Sequence, residues 1–576
     1  MRHFAVSLLS LSLFASVAMA GTPDQDSPSG DYLASRTASG LMDLSATEQY
    51  TSAALKQDPS NGILLERLFI AKIMQGDVAK SESLAAQVIK SNSQQRAARL
   101  VLGLAAFKAK HYADARDHFN EAAYTPFGTL TSVLLNAWAY AGENQYTAAL
   151  HELDRLDAQD AFAGSKAFHA ALISDLLNSS MRAESYYKKA MELAPNALRV
   201  TLAYGNFLER QGRKDEAAAI YKKYIAAGQG SNLFAQSALD KVFTAPKPRL
   251  FVPDVQSGAG EVLYSVAASL TGDQTADVAL IYSQLALSVS ADRPFVLTTM
   301  GGVLSDMKQY EQSNAAFEQI PKDSLLRPYA DTQIALNLHR LDKSDDAITL
   351  LKAVTDKDPK DADAMITLAG IYRATDKHEL AADTYTKAIA LLPQDAPNLW
   401  RLFYNRGIDY DRMKQFDKAE TDFRQALKLS NDDASVLNYL GYSMIDRGVN
   451  LDEAIGMVKK AVSLKPNDGY ITDSLGWAYY VLRDYDQAVT YCERAVDLIP
   501  SDPIIADHLG DVYWKVGRKL EAKFQWQHAL DNHPDDVDVP RIQAKLKDGL
   551  LDADPAKPAD NSAPGTTPDA TKPING

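Results

Sequence analysis

The amino-acid sequence predicts an all-α protein, a solenoid of about fourteen helix-turn-helix repeats that is interrupted near its middle. Two observations lead to this prediction. A pattern of apolar and small residues recurs every 34 positions, and each copy has the spacing of two amphipathic helices. The recurrence fails between residues 228 and 260, where glycine and proline accumulate.

The two clearest copies of the repeat lie near the C-terminus. In each, a leucine, a glycine and a tyrosine fall on one face of a first helix, and two alanines fall on one face of a second helix that a proline ends. These residues are Leu475, Gly476, Tyr479, Ala488, Ala495 and Pro500, and then Leu509, Gly510, Tyr513, Ala522, Ala529 and Pro534. Each pair of helices has apolar surface left over, which the next pair covers by stacking on it.

Equivalent leading positions follow the same step through both halves of the chain, with a few short insertions. They are Ala34, Leu68, Leu102, Asn136, Ala170 and Tyr204, and then Val266, Met300, Ile334, Leu368, Arg406 and Leu440. The pattern resembles the tetratricopeptide repeat (TPR). This resemblance implies a right-handed superhelical TPR solenoid that binds other proteins or peptides.

The chain divides into seven predicted segments. Residues 1–20 are expected to be a cleaved signal peptide, because Arg2 precedes an apolar stretch that ends in small residues at Ala18 and Ala20. The segment 228–260 is expected to be an irregular insertion, either a loop or a hinge. The others are a flexible linker (21–31), an N-terminal TPR-like solenoid (32–227), a C-terminal TPR solenoid (261–536), a capping helix (537–550) and a disordered tail (551–576). The signal peptide predicts a periplasmic or secreted protein.

The composition disfavours several classes of function. The formal net charge of −14 is a poor match for nucleic acid, because binding phosphates depends on Lys and Arg. After the signal peptide, no apolar run reaches the roughly 20 residues of a membrane-spanning helix. The histidines and carboxylates have neither metal-ligand nor catalytic spacing, and Cys492 is expected to be a buried structural thiol. We therefore expect no cofactor, no metal and no enzymatic activity.

A second face of the first helices carries the candidate binding residues. Trp477 lies about 200° around its helix from the packing residue Leu475, so it points away from the repeat signature. The corresponding positions of four successive repeats hold mainly aromatic and acidic side chains: Arg401, Tyr404, Asp411, Asn438, Tyr442, Tyr470, Asp473, Trp477, Tyr480, Asp507, Asp511 and Trp514. In TPR proteins these positions line the concave groove, so the resemblance implies a partner-binding groove. The alternative is that Trp477 and Tyr480 pack against the adjacent repeat.

The stretch from Leu437 to Leu530 carries a more specific resemblance. With NYLGYSMIDRG, DGYITDSLGWAYY and ADHLGDVYWKVGR, it resembles a bacterial family of long, exported envelope TPR proteins. Some members are similar to adaptors that dock a carboxyl-terminal processing protease in the periplasm and present cell-wall hydrolases to it. The resemblance implies a periplasmic scaffold or adaptor with such partners. The alternative is a TPR subunit of an envelope export or assembly machinery, for exopolysaccharide or outer-membrane biogenesis.

Overall fold

The structure, a computed structural model, describes residues 28–228, 233–270, 272–289 and 292–550. The predicted signal peptide, the predicted tail and residues 21–27 of the predicted linker lie outside the described residues. Within these ranges the chain has 30 α-helices, three short 3-10 turns and no strand, which confirms the all-α solenoid. It divides into two compact units, Met1–Arg327 and Pro328–Gly576, called the N-terminal and C-terminal units below.

The N-terminal unit contains seventeen of the described α-helices. They are α1 (Pro28–Gly40), α2 (Leu44–Gln57), α3 (Gly62–Met74), α4 (Val78–Ser91), α5 (Arg96–Lys108), α6 (Tyr112–Glu121), α7 (Pro126–Gly142), α8 (Tyr146–Leu153), α9 (Ala163–Leu176), α10 (Ser180–Leu193), α11 (Leu198–Arg210), α12 (Lys214–Ala226), α13 (Leu233–Lys241), α14 (Val255–Ser269), α15 (Ala276–Ser288), α16 (Arg293–Asp306) and α17 (Tyr310–Glu318). The 3-10 turns are Asp154–Leu156, Asp160–Phe162 and Asp273–Thr275.

The C-terminal unit contains the other thirteen described α-helices. They are α18 (Arg327–Arg340), α19 (Ser344–Lys357), α20 (Ala362–Ala374), α21 (His378–Leu391), α22 (Leu399–Arg412), α23 (Phe416–Ser430), α24 (Ala434–Asp446), α25 (Leu451–Leu464), α26 (Gly469–Val481), α27 (Tyr485–Leu498), α28 (Pro503–Lys515), α29 (Lys519–Asp531) and α30 (Val539–Asp548). Helix α30 lies within the segment 537–550 that was expected to cap the solenoid.

Helix pairs form because small residues let the first helix of a repeat approach the second. A Cβ atom added at Gly476 would overlap the Sγ atom of Cys492, and one added at Gly510 would overlap the indole of Trp526. Cys492, Trp526 and the alanines beside them are fully buried. The core of each unit therefore runs between the paired helices and continues from one repeat into the next.

The 34-residue step is also visible in the backbone. In thirteen repeats a residue just after the first helix has a positive φ, which ends that helix and turns the chain into the second one. These residues are Met42, Gly76, Lys110, Asn144, Asn178, Gly212, Lys308, Asp342, Asp376, Lys414, Gly448, Arg483 and Gly517. The acidic residues Asp468 and Asp502 cap the following repeats by accepting hydrogen bonds from backbone N–H groups of the first turn.

The segment 228–260 is not the irregular insertion that the sequence predicted. It contains helix α13, which packs on α11 and α12, and the start of helix α14, so only 242–254 is irregular among its described residues. Gly258 and Gly260 were interpreted as turn signals, but both lie inside α14. The reason for glycine is close packing, because a Cβ atom at Gly258 would overlap the indole of Trp138. The predicted linker 21–31 is likewise too long, since helix α1 begins at Pro28.

Two glycines of the C-terminal unit give a matched test of this packing. Gly476→Ala should destabilise α26 and α27 by about 1–3 kcal/mol, because the methyl group must displace Cys492. Gly456→Ala, in the middle of α25 where an added Cβ atom meets nothing within 4 Å, should instead stabilise its helix by up to about 1 kcal/mol. Native-state hydrogen exchange reports both changes locally. Equal effects of the two substitutions would contradict the packing argument.

Candidate functional site

The twelve predicted groove residues lie on the first helices α22, α24, α26 and α28, in one register. Half of them are more buried than an open groove requires: Tyr404, Asn438, Asp473, Tyr480, Asp507 and Asp511. Asp411, Tyr442, Tyr470, Trp477 and Trp514 are half-buried, and Arg401 is exposed. We call this set the C-terminal stripe. Its role in binding a partner stays a prediction.

Aromatic rings stack along the stripe between α26 and α28. Trp477 is stacked on Tyr480 with ring centroids 4.7 Å apart, and on His508 of the next repeat at 4.2 Å. His508 holds its ring by a 2.8 Å hydrogen bond between Nδ1 and the Asp473 carboxylate. Trp477 is thus stacked on one ring of its own helix and one of the next repeat, while part of its side chain remains accessible. Trp477 therefore both packs between repeats and contributes to the surface.

The acidic residues at the C-terminal end of the stripe are neutralised by the chain itself. Arg541 and Lys545 of α30 reach the carboxylate of Asp507 at 2.5 and 2.9 Å, and Lys545 also reaches Asp511 at 2.7 Å. Burial alone would raise the pKa of Asp507, but Lys545 and Arg541 outweigh it and the pKa is lowered. This end of the stripe is a buried ion-pair network and not the open acidic surface that the sequence suggested.

Arg541 and Lys545 were missed in the sequence although a signal was present. They lie 34 residues after Asp507 and Asp511, so they occupy the same two stripe positions on the next helix. The recognisable repeat signature ends at Pro534, but the 34-residue spacing of the stripe positions continues into α30. Helix α30 thus takes the place of a further first helix and adds two cations to the stripe.

The N-terminal unit has a row of residues at the equivalent positions of its first helices, and another helix of the unit covers the part on α7. Thr131, Leu134, Trp138 and Ala141 of α7 hold the positions that Tyr470, Asp473, Trp477 and Tyr480 hold on α26, and all four are buried. Helix α14 packs along α7 and α9, and helix α15 packs on α3 and α4. The backbone of α14 lies on the Trp138 indole, whose Nε1 donates a 3.1 Å hydrogen bond to Nδ1 of His169. Burial lowers the pKa of His169 to about 3, so this histidine stays neutral.

Polar contacts fix the α14–α15 hairpin in this position. The guanidinium of Arg199 on α11 binds both carboxylate oxygens of Glu261 on α14, at 3.0 and 2.5 Å. The same guanidinium lies 4.6 Å from the ring centre of Phe251 in the irregular segment 242–254. On α15, Tyr282 lies within hydrogen-bond distance of Thr131, and Gln284 donates to the backbone oxygen of Met74. The hairpin is therefore an integral part of the N-terminal unit.

Comparison with known families identifies the repeats. The model of the Tetratricopeptide repeat family matches residues 67–128, 177–232, 404–469 and 450–503, and the model of the Psidin N-terminal TPR repeats region matches residues 304–421. The matched residues are tetratricopeptide repeats. Proteins of this repeat type generally mediate protein–protein interactions and are typically non-catalytic scaffolds.

Individual relatives share only part of the chain. BBSome complex member BBS4 of Bos taurus is 30% identical over 179 residues, which are 31% of this chain and 33% of the relative. TPR repeat-containing protein PA4667 of Pseudomonas aeruginosa is 26% identical over 183 residues, 31% of this chain and 30% of the relative. The chain thus spans about a third of the length of the curated relatives it matches. Among solved structures, a tetratricopeptide repeat protein from Parabacteroides merdae is 16% identical with a TM-score of 0.38, covering 44% of this chain and 98% of that chain.

Two kinds of reactive site, a metal centre and a nucleophilic thiol, can be checked in the described part of the chain. Within the described ranges, His, Cys, Asp and Glu side chains form no group of three that could hold a metal ion. The Cys492 thiol is buried beneath Gly476, and burial raises its pKa well above the usual value, so its reactive thiolate form is disfavoured. A helix long and apolar enough to cross a membrane is likewise absent from residues 28–228, 233–270, 272–289 and 292–550.

The ion-pair network predicts a sharp loss of local stability. Lys545→Met should destabilise α28–α30 by about 3–5 kcal/mol near neutral pH, because it leaves the buried Asp511 without its cation and Asp507 with Arg541 alone. Lys545→Met combined with Asp511→Asn should recover part of that loss, since one unpaired charge disappears with the lysine. Hydrogen exchange of α28–α30 in the two variants and the unchanged chain measures both effects. A double variant no more stable than Lys545→Met would contradict the network.

His508 predicts a dependence of stability on pH. Burial lowers the pKa of His508, but the charges on Asp473, Asp507 and Asp511 raise it by more, so the folded pKa exceeds that of a free histidine. The stabilisation is therefore complete below the unfolded pKa of about 6.5 and is lost as the pH rises through the folded value.

His508→Asn keeps a donor for Asp473 but cannot titrate. Between about pH 6 and pH 8.5 the unchanged chain should lose up to about 1 kcal/mol more stability in α26–α28 than this variant. Hydrogen exchange at the two pH values, corrected for intrinsic rates, measures the difference. Parallel pH dependence in the two proteins would contradict the assigned role of His508.

Proposed function

We propose that the protein is a periplasmic scaffold or adaptor that binds partner proteins along the C-terminal stripe. Its partners would be a carboxyl-terminal processing protease and the cell-wall hydrolases that are presented to it. The TPR architecture supports the binding role, because an array of stacked helix pairs offers one continuous surface built from the same positions of successive repeats.

One observation supports the choice of the C-terminal unit. In the N-terminal unit the stripe of α7 is covered by α14, with Trp138 and Leu134 almost inaccessible. In the C-terminal unit no described helix of that unit packs across α22, α24 and α26 in the way that α14 packs across α7. Tyr442, Tyr470 and Trp477 keep accessible surface there. Partly exposed aromatic side chains in register are suited to anchoring a partner, because they bury a large area with little loss of conformational freedom.

The proposed location depends on the N-terminal sequence. Arg2, the apolar stretch and Ala18-Met19-Ala20 favour export with cleavage before Gly21. Intact-mass measurement of the protein from a periplasmic fraction tests this step, because a cleaved chain would begin at Gly21. A chain that retains Met1 in the cytoplasm would contradict the periplasmic role.

Affinity capture of the mature chain from periplasmic extract tests the adaptor proposal. The tagged protein should recover a processing protease together with cell-wall hydrolases, and both Trp477→Ala and Arg401→Glu should reduce that recovery at least about tenfold. Arg401 is exposed, so this variant changes the stripe without touching the core. The matched control is Phe524→Ala, an aromatic side chain 69% exposed on α29 outside the stripe, which should leave recovery unchanged.

The outcomes of this capture separate the hypotheses. Equal recovery by the Arg401→Glu and unchanged baits would exclude the stripe as the binding surface. Recovery of export or assembly subunits, without a protease, would favour a TPR subunit of an envelope machinery. Circular dichroism of the Trp477→Ala protein shows whether its loss of binding comes from the surface or from unfolding.

A further inference from the structure

A histidine and an aspartate from neighbouring repeats form a buried pair at the junction between α21 and α22. Nδ1 of His378, the first residue of α21, lies 2.8 Å from Oδ1 of Asp409 on α22. The Asp409 side chain is fully buried, whereas 18% of the His378 side chain is exposed, so the pair can exchange protons with solvent. The contact therefore joins two successive repeats through groups that can gain or lose a proton.

The two residues differ from those that other repeats have at the same positions. Helix α23 begins with Phe416 where α21 begins with His378. At the position of Asp409, helix α26 has Ala478 and helix α28 has Val512, and both are fully buried. Packing of the repeat therefore does not itself require a carboxylate at this position.

Buried polar atoms at this junction lack partners. Oδ2 of Asp409, the hydroxyl of Tyr404 and Nε of Arg373 are buried and have no hydrogen-bond partner among the described residues. Arg373 belongs to α20, and its charge acts on both Asp409 and Tyr404. Such atoms regain water when the helices separate. The free energy of opening is therefore lower here than at a junction packed by apolar side chains alone.

The backbone at the junction also allows the helices to separate. The connection 392–398 between α21 and α22 is longer than the connections 358–361 and 431–433 at the neighbouring junctions. It ends at Asn398, whose φ is +63°. A longer connection can absorb changes in backbone angles while the two helices that it joins stay intact.

Burial outweighs the favourable contacts of the Asp409 carboxylate. Burial raises the pKa of Asp409 to about 6, and the hydrogen bond from His378 and the charge on Arg373 lower it by less. Tyr385 of α21 is close enough for the charge on Asp409 to act on it, but burial raises the pKa of Tyr385, so it stays uncharged. Ionised Asp409 is thus balanced incompletely by the helices α20 and α21.

Two other carboxylates near the pair do not change this balance. Asp422 of α23 lies beside α22, where Arg406 binds both of its carboxylate oxygens at 2.7 Å. Asp376, in the turn before α21, has an oxygen 3.6 Å from Nε2 of His378, but its side chain is 94% exposed. Its charge is therefore largely screened by water.

A proton on the pair stabilises the junction. The unfolded carboxyl has a pKa of about 3.9, below the folded value of about 6 for Asp409. The stabilisation is therefore complete below the unfolded pKa and is lost as the pH rises through the folded pKa. Between about pH 5 and about pH 8, these two values predict a rise of about tenfold in the equilibrium constant for opening.

We propose that His378 and Asp409 form a pH-sensitive hinge, at which α22 separates from α21 more readily once the pair has lost its proton. The buried carboxylate is then charged while its Oδ2 atom has no donor, and opening hydrates it. The C-terminal stripe lies wholly on α22, α24, α26 and α28, on one side of this junction. The hinge is therefore independent of the proposed function.

Native-state hydrogen exchange of the full mature chain tests the hinge helix by helix. At about pH 5 and about pH 8, corrected for intrinsic rates, the opening constant of α21–α22 should rise about tenfold relative to that of α18–α19. Asp409→Asn keeps the size of the side chain but cannot titrate. In this variant the relative rise should fall to within about twofold.

Two further variants separate the pair from its surroundings. Asp376→Asn is the matched control, because it removes an exposed carboxylate beside the same histidine, and it should keep the tenfold rise. His378→Phe introduces the residue type that α23 has at this position. It removes a hydrogen bond that lowers the pKa of Asp409, so the rise should exceed that of the unchanged chain.

Three results would overturn the hinge. They are a flat pH profile of α21–α22 in the unchanged chain, an equal rise in Asp409→Asn, and an equal rise in α18–α19. The first and the third are measured on the unchanged chain, so the test holds even where Asp409→Asn does not fold.

Discussion

In six of the repeats a glycine of the first helix contacts a side chain of the second helix sixteen residues later, an aromatic ring in five of them, with no room for a Cβ atom between them. The pairs are Gly103 and Phe119, Gly205 and Tyr221, Gly301 and Phe317, Gly407 and Phe423, Gly476 and Cys492, and Gly510 and Trp526. The contact fixes the distance and rotation of the two helices in each pair. Because successive pairs then have the same geometry, residues 34 positions apart face the same direction, and the stripes exist only as a consequence of that packing.

The repeat period could be predicted from the sequence because the residues that pack the two helices together recur at that period. The burial of the stripe residues could not be predicted in this way. Burial of Asp473 depends on His508 in the next repeat, and burial of Asp507 depends on Arg541 in a helix beyond the last recognisable signature. The sequence also did not predict that α14 covers the N-terminal stripe. Gly258 is a turn signal when read locally and a packing residue once Trp138 is known to lie against it. Local pattern identifies the repeats, whereas contacts between repeats decide which positions stay accessible.

Residues at equivalent positions of the two units differ in their burial and in the charge of their neighbours. Trp138 and Trp477 hold equivalent positions, and each contacts a histidine from the following repeat, His169 or His508. Trp138 is covered by α14, and its partner His169 is neutral because burial lowers the pKa of that histidine. Trp477 lies beside Asp473, which favours the protonated form of His508. In the N-terminal unit, the irregular segment 242–254 leads the chain back to α7, so that α14 packs on α7 and not on α12. This path of the chain is the reason that Trp138 is covered.

Charge along the C-terminal stripe changes from compensated to uncompensated within two repeats. A buried carboxylate is tolerated when a cation and hydrogen bonds replace the water that it has lost, as Arg541 and Lys545 do for Asp507. Asp411 and Asp446 keep more contact with solvent, so hydration supplies part of what a cation supplies at Asp507. The Ser443 hydroxyl donates a hydrogen bond to Asp411, and the charge on Arg447 partly offsets burial and Asp411, which together raise the pKa of Asp446.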